Sequence, residues 1–506
     1  VGPVPIGEKL RLLRVGDPQL LSTRTDEETM KIRMLFRAIP AAVLIAMTGG
    51  CSDDLTKLNE NPNQPVSVGA EFLLPSAIVA GAERLQGSSL NMDMVGLWVQ
   101  HYAEHRYAIE DRYEFQDVTI NGHWSTLYEE PLRDLYEVKQ KGRDAEWPNV
   151  EAVGMILTAW IMQAVTDLWG DSGYSQALLG RDSPPDMTVE YDTQEQIYDA
   201  LMSELATAAG MVSSSGAKIE DGDLLYEGNM EKWRLFANSL RLRMAMRLSE
   251  VDPSLAAPQA SGAISAGVFS SNSDNATLHF VDNGVDVHPI YGYERNRDDH
   301  SISATLVDTL KALNDPRLPV YARPNQFGEY KGTQNGDMSD PPLNEVSRIG
   351  TWFSSADTPA ILMSYAEVLF LQAEAAERGW VGSDAEDLYN DAITAAMSLL
   401  GISSGDIDTY LAQPRVQYQG GQAGLNQIHL QKWIALFGNG PEAYAEWRRT
   451  GIPHLVAGPD AINDGMIPVR LPYPDREKSL NREAVEAAIA RQNGATINTP
   501  VWWDMH

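Results

Sequence analysis

Apolar residues recur at three- and four-residue steps through much of this chain. Val153, Ile156, Leu157, Trp160, Ile161, Ala164 and Leu168 fall on one stripe of a helix, because side chains i, i+3 and i+4 share a face. Trp233, Phe236, Ala237, Leu240, Met244 and Leu248 repeat the spacing, as do Leu362, Ala366, Leu369, Phe370 and Ala373. A fourth such segment covers 428–437. Pro441 then opens another helix over 442–449, since proline suits a first helical position whose N–H has no partner. Trp160, Trp233 and Trp433 lie on these faces and are expected in the core. The pattern predicts a mostly α-helical single domain over 70–506.

Two stretches break the periodicity. Residues 252–355 are rich in Gly, Ser, Asn, Asp and Pro, and only short helical or strand-like pieces are expected there. Residues 401–424 form a second, smaller irregular region. Long irregular segments inside a compact domain are usually functional or disordered. The aromatic content of the first (Tyr291, Tyr293, Tyr321, Phe327, Tyr330, Trp352, Phe353) argues against plain disorder. No clean sequence repeat stands out, although paired amphipathic helices with small residues at their crossings are what degenerate helical repeats look like.

The first seventy residues follow another logic. A basic stretch (Lys31, Arg33, Arg37), an apolar run over 39–47 and Thr48-Gly49-Gly50 precede Cys51, the one cysteine of the chain. A basic region, a short apolar region and small residues at a cut site spell a secretory signal over 30–50. A cysteine directly after it is the mark of a bacterial lipoprotein, so Cys51 is expected to take the lipid and become the mature N-terminus. Residues 1–29 are polar, lie upstream of Met30 and Met34, and read as a mis-called start. Residues 51–69, with Asn61-Pro62-Asn63-Gln64-Pro65, read as a flexible tether. No segment after the leader approaches the roughly 18 apolar residues of a membrane helix, so attachment is expected through the lipid.

Charge narrows the partners. The 506 residues carry a formal net charge of −31, which repels nucleic acid and anionic head groups. A lone cysteine allows no internal disulfide.

Candidate catalytic patterns give way to plainer readings. Gly170-Asp171-Ser172-Gly173 looks like a protease nucleophile motif but follows a strong amphipathic helix, so a helix stop at Gly170 and a turn are expected. His101 and His105 stand one helical turn apart, a spacing that suits a metal pair. Without a nearby third ligand, a helix with a half-exposed polar stripe is expected instead. Asp221-Gly222-Asp223 lacks the remaining spacing of a calcium loop and reads as a turn. No GxSxG, Walker or GxGxxG pattern stands in a strand–turn–helix context. No catalysis, cofactor or metal is expected. The remaining chemistry is aromatic: 12 Trp and 19 Tyr against 10 Phe favour rings with a flat apolar face and a polar edge, which suits sugars.

Several longer stretches carry a family resemblance. They are Leu58-Asn59-Glu60-Asn61-Pro62-Asn63-Gln64-Pro65; Gln163-Ala164-Val165-Thr166-Asp167-Leu168-Trp169-Gly170-Asp171 with Tyr174-Ser175-Gln176-Ala177; and Ser364-Tyr365-Ala366-Glu367-Val368-Leu369-Phe370 through Glu374-Ala375. The set ends with Gln431-Lys432-Trp433 through Arg448-Arg449-Thr450-Gly451-Ile452-Pro453, Arg470-Leu471-Pro472-Tyr473-Pro474 with Asn481, and Val501-Trp502-Trp503-Asp504. Together they resemble the SusD/RagB family of Bacteroidetes outer-membrane nutrient-binding lipoproteins, in particular its SusD-like subgroup. Ser172-Gly173 replaces the usual Val-Pro of the second motif.

The resemblance implies a tetratricopeptide-like helix-pair scaffold with long irregular loop insertions that form the binding face. It implies a TonB-dependent, SusC-like outer-membrane barrel as partner, and capture of oligosaccharide or another nutrient without catalysis. Ser52-Asp53-Asp54 resembles the acidic signal that sends such lipoproteins to the cell exterior. Glu367 and the Arg448–Arg449 pair lie in scaffold motifs and are expected to be structural. Ligand contacts are expected at Tyr107, Tyr113, Tyr291, Tyr293, Arg295 and Trp352, which lie outside the clean apolar helical faces. A lipid-anchored glycan hydrolase and a helical assembly scaffold without a small ligand are the rival readings.

Overall fold

Helix starts and stops in this chain are written by caps. In the computed structural model, which describes residues 68–179 and 188–506, the longest helix begins with a proline at its first position and ends where Gly170 takes φ +81° and donates its N–H to Thr166 O. A positive φ at that point is cheap only for glycine. Ser364 accepts a hydrogen bond from Glu367 N, Asn229 from Lys232 N, and Thr193 forms a reciprocal capping box with Gln196.

The longer helices are α1 (Ala70–Gln86), α2 (Asp117–Leu127), α3 (Arg133–Asp144), α4 (Pro148–Trp169), α5 (Gln194–Met211), α6 (Met230–Arg247), α7 (Pro253–Ala266), α8 (Ala304–Ala312), α9 (Tyr365–Glu377), α10 (Ala385–Leu399), α11 (Ser404–Leu411), α12 (Gly421–Ala435), α13 (Gly440–Thr450) and α14 (Arg482–Arg491). Consecutive helices pack in pairs: α3 on α4, α4 on α5, α5 on α6, α6 on α7, and α9 on both α10 and α12. This is the mostly helical, helix-pair architecture that the sequence pattern and the resemblance imply. Trp160, Trp233 and Trp433 are buried as expected. The leader, Cys51 and nearly all of the tether lie outside the described residues.

The structure corrects the sequence reading in several places. Helix α4 is long and apolar enough, by length and composition, to cross a membrane, contrary to the expectation that no later segment comes near. It is buried almost entirely within the protein and serves as the central core helix. The irregular 252–355 stretch contains α7, fourteen residues long. Its buried stripe is only Ala256, Ala260 and Ala263, too weak an apolar signal to read from sequence, with Asp252 capping its first turn through Leu255 N. Helix α8 is also there, capped by Ser303, and α11 occupies part of 401–424, capped by Ser403. Leu362 sits in a strand rather than at a helix start.

His101 and His105 bracket strand β1 (Tyr102–Glu104), not a helix. Both are buried and engaged separately. His101 Nε2 lies 3.0 Å from Trp433 O, while the ring of His105 meets Pro341 O at 3.0 Å and also Asp298 O. Burial lowers the His101 pKa to about 3, so the ring is neutral. Asp223 accepts the N–H groups of Leu225, Tyr226 and Gly228 and the indole N–H of Trp233, which fixes the expected turn.

Three antiparallel two-stranded ribbons position the loops. β1 pairs with β3 (His300–Ile302), β2 (Ala276–Leu278) with β6 (Ala360–Met363), and β4 (Ala322–Arg323) with β5 (Arg348–Ile349).

Candidate functional site: an aromatic and arginine-rich loop face

The register of one ribbon brings distant loops together. Glu104 of β1 stands opposite His300 of β3. The segment leaving β1 and the segment entering β3 therefore emerge at the same end, although nearly two hundred residues separate them. His105 N donates to Asp299 O at 3.0 Å. Arg106 lies between Asp298 and Asp340, 3.9 and 3.8 Å away. Beside it, Tyr107 is 63% exposed, with a left-handed backbone at φ +61°. Such a conformation costs a non-glycine residue energy and is a frequent companion of functional loops.

A buried acid pair holds this segment from below. Glu104 N donates to Asp111 Oδ2 at 3.1 Å, and Asp111 N donates to Glu104 Oε2 at 3.2 Å. Asn335 Nδ2 adds a bond to Asp111 Oδ1 at 2.8 Å. Burial pushes the Glu104 pKa up to about 10, with Asp111 and Glu110 adding to the rise. Burial likewise raises Asp111 to about 6, against the hydrogen bonds from Asn335 and backbone N–H groups. Glu104 is thus a neutral acid at pH 7.

Tyr291 and Tyr293 sit on a short helix, Pro289–Glu294, rather than in open loop. Each has an arginine four residues later. The Arg295 guanidinium lies 5.4 Å from the Tyr291 ring centroid, and Arg297 lies 5.7 Å from that of Tyr293. Helical i,i+4 spacing makes these cation–π pairs. Tyr291 is half-buried and Arg295 exposed. Tyr293 is tied inward, its ring 5.3 Å from that of His300.

Trp352 follows β5 and is half-buried. Its ring lies 4.5 Å from Phe353, which packs edge-on to Phe437 at 4.6 Å; Phe437 in turn stacks on Tyr321 at 4.6 Å. Trp352 is the outer member of this aromatic series. It lines an apolar cleft of about 730 Å³, counted out to its open mouth, together with His288, Ile290 and Pro359. Burial lowers the His288 pKa to about 4, so a neutral imidazole faces the cleft.

Of the six residues the sequence points to, the structure brings Tyr107, Tyr291, Tyr293 and Arg295 to loops joined at the β1–β3 ribbon. Trp352 lies on the far side of the short helix, whose His288 and Ile290 end shares its cleft. Tyr113 is claimed by the core: it is 3% exposed and ends a tight turn at φ +69°. It lies outside the apolar helical faces, but turn residues are also buried when the loop folds back on the scaffold. Sequence reasoning missed Arg106, Arg297, Arg323 and Arg348. The i,i+4 repeat of Tyr and Arg in Tyr291-Gly292-Tyr293-Glu294-Arg295-Asn296-Arg297 is a signal that would have found Arg297. Only the strand register exposes the last two.

Elsewhere, Glu374, His429 and Glu446 present ligand atoms within 4.8 Å of one another. Their carboxylates are already taken by guanidinium and ammonium groups: Arg449 reaches both glutamates at 2.7 and 2.8 Å, and Lys432 reaches Glu446 at 3.0 Å. A dication there would face four cations, counting Arg378 at 2.9 Å from Glu374 and Arg247 at 3.9 Å from Glu446. The donor set fits an ion-pair network rather than a metal.

Comparison with known proteins places the chain in a family. No curated protein matches the chain. Residues 62–474 match the SusD-like family described as starch-binding and associating with the outer membrane. Among solved structures, a chitin-binding protein is 30% identical over 87% of this chain and 100% of its own, with a TM-score of 0.78. A SusD homologue from Bacteroides uniformis is 25% identical over 86% and 100%, with a TM-score of 0.76. A chitin-binding SusD homologue from Flavobacterium johnsoniae is 26% identical over 86% and 99%, with a TM-score of 0.75. With the family matched over residues 62–474 and the helical architecture shared over 86–87% of its length, the chain belongs to the SusD-like family.

Proposed function

We propose that this protein is a non-catalytic glycan-capture lipoprotein of the outer membrane. It holds oligosaccharide on the loop face and passes it to a TonB-dependent, SusC-like barrel. The observation that carries this reading is the convergence of Tyr107, Tyr291 and Arg295 on loops that one ribbon register joins, with Trp352 at an aromatic cleft nearby. Rings with exposed faces stack on the CH faces of sugars, and guanidinium forks donate to their hydroxyls. Membership of a family described as starch-binding and likeness to chitin-binding proteins support the same ligand class. A lipid on Cys51 would supply the anchor, leaving the domain outside the cell.

Calorimetry with starch- and chitin-derived oligosaccharides tests the binding. The expected result is a saturable heat with no new reducing ends. Turnover of the oligosaccharide would favour a hydrolase instead. For the anchor, Cys51→Ser is expected to move the protein from the membrane fraction to the soluble one. Retention of that variant through a high-salt wash would refute lipid attachment.

A further inference from the structure

At the β4–β5 ribbon two arginines of the loop face meet with one carboxylate in ion-pair range among the described residues. Antiparallel pairing of β4 with β5 sets Arg323 directly opposite Arg348, and like charges so placed repel. Arg348 Nη2 has one carboxylate, Glu294 Oε2, at 3.4 Å. Arg323 donates Nε–H to Ile349 O at 2.7 Å. Among the described residues it has no carboxylate in ion-pair range, nor does Arg295, whose guanidinium rests on Tyr291. Arg323 and Arg348 thus face each other with Glu294 as the one carboxylate in ion-pair range among the described residues, in a chain whose net charge is −31. Arg348 Nε and Glu294 Oε1 are both buried without a hydrogen-bond partner, so the cluster is not closed on itself. Arg323 and Arg348 are only partly buried and Arg295 is exposed. The turn after β5 sets Trp352 four residues from Arg348.

We propose that the ligand of this face is an anionic glycan, one whose sugars bear carboxylate or sulfate groups. This rests on the glycan-capture reading and names its substrate class. The planar guanidinium fork matches both anions with two parallel hydrogen bonds. The rest of the protein repels polyanions at long range, so these guanidiniums are what would let an anionic chain dock, and Tyr291 supplies a stacking surface beside Arg295.

The test uses calorimetry on the full chain with matched ligands. One pair is an oligogalacturonate and the same oligomer after reduction of its carboxyls to alcohols. The other is a sulfated galactan oligomer and its desulfated form. The expected result is binding about tenfold tighter to at least one anionic member than to its neutral match. Arg323→Gln, melting like the parent, is expected to erase that difference while neutral binding persists; Arg295→Gln is expected to weaken neutral binding and to weaken anionic binding more, so that the ratio of the two falls. Which pair shows the preference separates carboxylate from sulfate recognition. Equal or weaker binding of both anionic members, with neutral glycans bound, overturns this proposal and leaves glycan capture standing. A preference unchanged in both variants overturns the assignment to this cluster. Failure of every glycan, charged or neutral, overturns both readings. Should Arg323→Gln misfold, Arg295→Gln decides alone, since its side chain lies on the surface.

Discussion

Two charged regions of this molecule follow opposite rules. In the scaffold, where α4, α6, α9, α12 and α13 meet, charges are buried and matched. Arg243 grips Glu367 through a fork at 2.6 and 2.8 Å, Arg247 binds Glu442 at 2.7 Å, and Arg449 spans Glu374 and Glu446. Asp167 and Lys432 complete the set, 3.6 Å from Arg247 and 3.0 Å from Glu446. On the loop face, Arg348 has one glutamate at 3.4 Å, Arg323 and Arg295 have no carboxylate in ion-pair range among the described residues, and all three keep a path to solvent. Burying a charge is costly unless it is paired and hydrogen-bonded. In the scaffold every one of these charges has an opposite charge within 4 Å, although Arg247 Nε and Glu442 Oε1 make no hydrogen bond; on the loop face the half-buried and exposed arginines can also use water. Closed networks hold the fold in register; open ones can recognise something else.

Cutting the closed network is the strongest way to test this contrast. Arg449→Ala leaves Glu374 and Glu446 buried together with fewer partners. The expected loss is about 3–5 kcal/mol, seen in urea unfolding and as a melting temperature lower by on the order of 5–10 °C. Glycan affinity below the transition should be unchanged. A variant that melts like the parent but binds weakly would place Arg449 in the site and collapse the distinction.

The converse substitution sits on the loop face. Tyr107→Ala removes an exposed ring that contributes nothing to the core, so its melting curve should overlay the parent's. Binding is expected to weaken by about 1–3 kcal/mol, as for an interface anchor. Tyr113→Ala, six residues away, should do the reverse, because that ring is buried: it destabilises by roughly 3–5 kcal/mol if the void stays open. Equal effects of the two in calorimetry and in melting would mean that burial does not separate binding from packing here.

The same division explains what the sequence made legible. The motifs that carry the family resemblance contain Asp167, Glu367, Glu374, Lys432, Arg448 and Arg449. In the structure all six are buried scaffold groups; Arg448 packs 4.0 Å over Tyr444 and 4.7 Å over Trp503. Helices with large apolar side chains at steady spacing were readable for the same reason: their positions are dictated by one core. Helix α7, with an alanine stripe, was not. The site is harder still, because its members come from 104–107, 291–298 and 323–352 and meet only through strand register. A single sequence reports neither that register nor which turn tyrosine folds inward, so Tyr107 and Tyr113 looked alike.

The last expected effect is read as a pH profile: it concerns the acid pair beneath Tyr107 and extends the contrast to pH. In the scaffold, Arg449 and His429 hold Glu374 down at about 2, against the burial that would raise it. Its stabilising contribution is full above about pH 4.5 and fades as pH falls towards 2. Glu104 behaves oppositely. Burial, then Asp111 and Glu110, raise its pKa to about 10, well above the unfolded value near 4.5. The folded state then binds a proton that the unfolded state has released, so stability falls as pH rises from about 4.5 towards 10. Asp111, raised to about 6, adds a narrower decline between about 3.8 and 6. Glu104→Gln keeps an oxygen that can accept the Asp111 N–H and removes the titration. Expected from melting curves between pH 5 and 9 is a flatter profile than the parent's, with the variant ahead at pH 9 and level with it near pH 5. Because Glu104 anchors the segment that presents Tyr107, parent glycan affinity should drop towards pH 9 more than the variant's does. Parallel profiles for the two proteins would show that Glu104 is already ionised when folded, and that the loop face is held by pairing of the scaffold's kind.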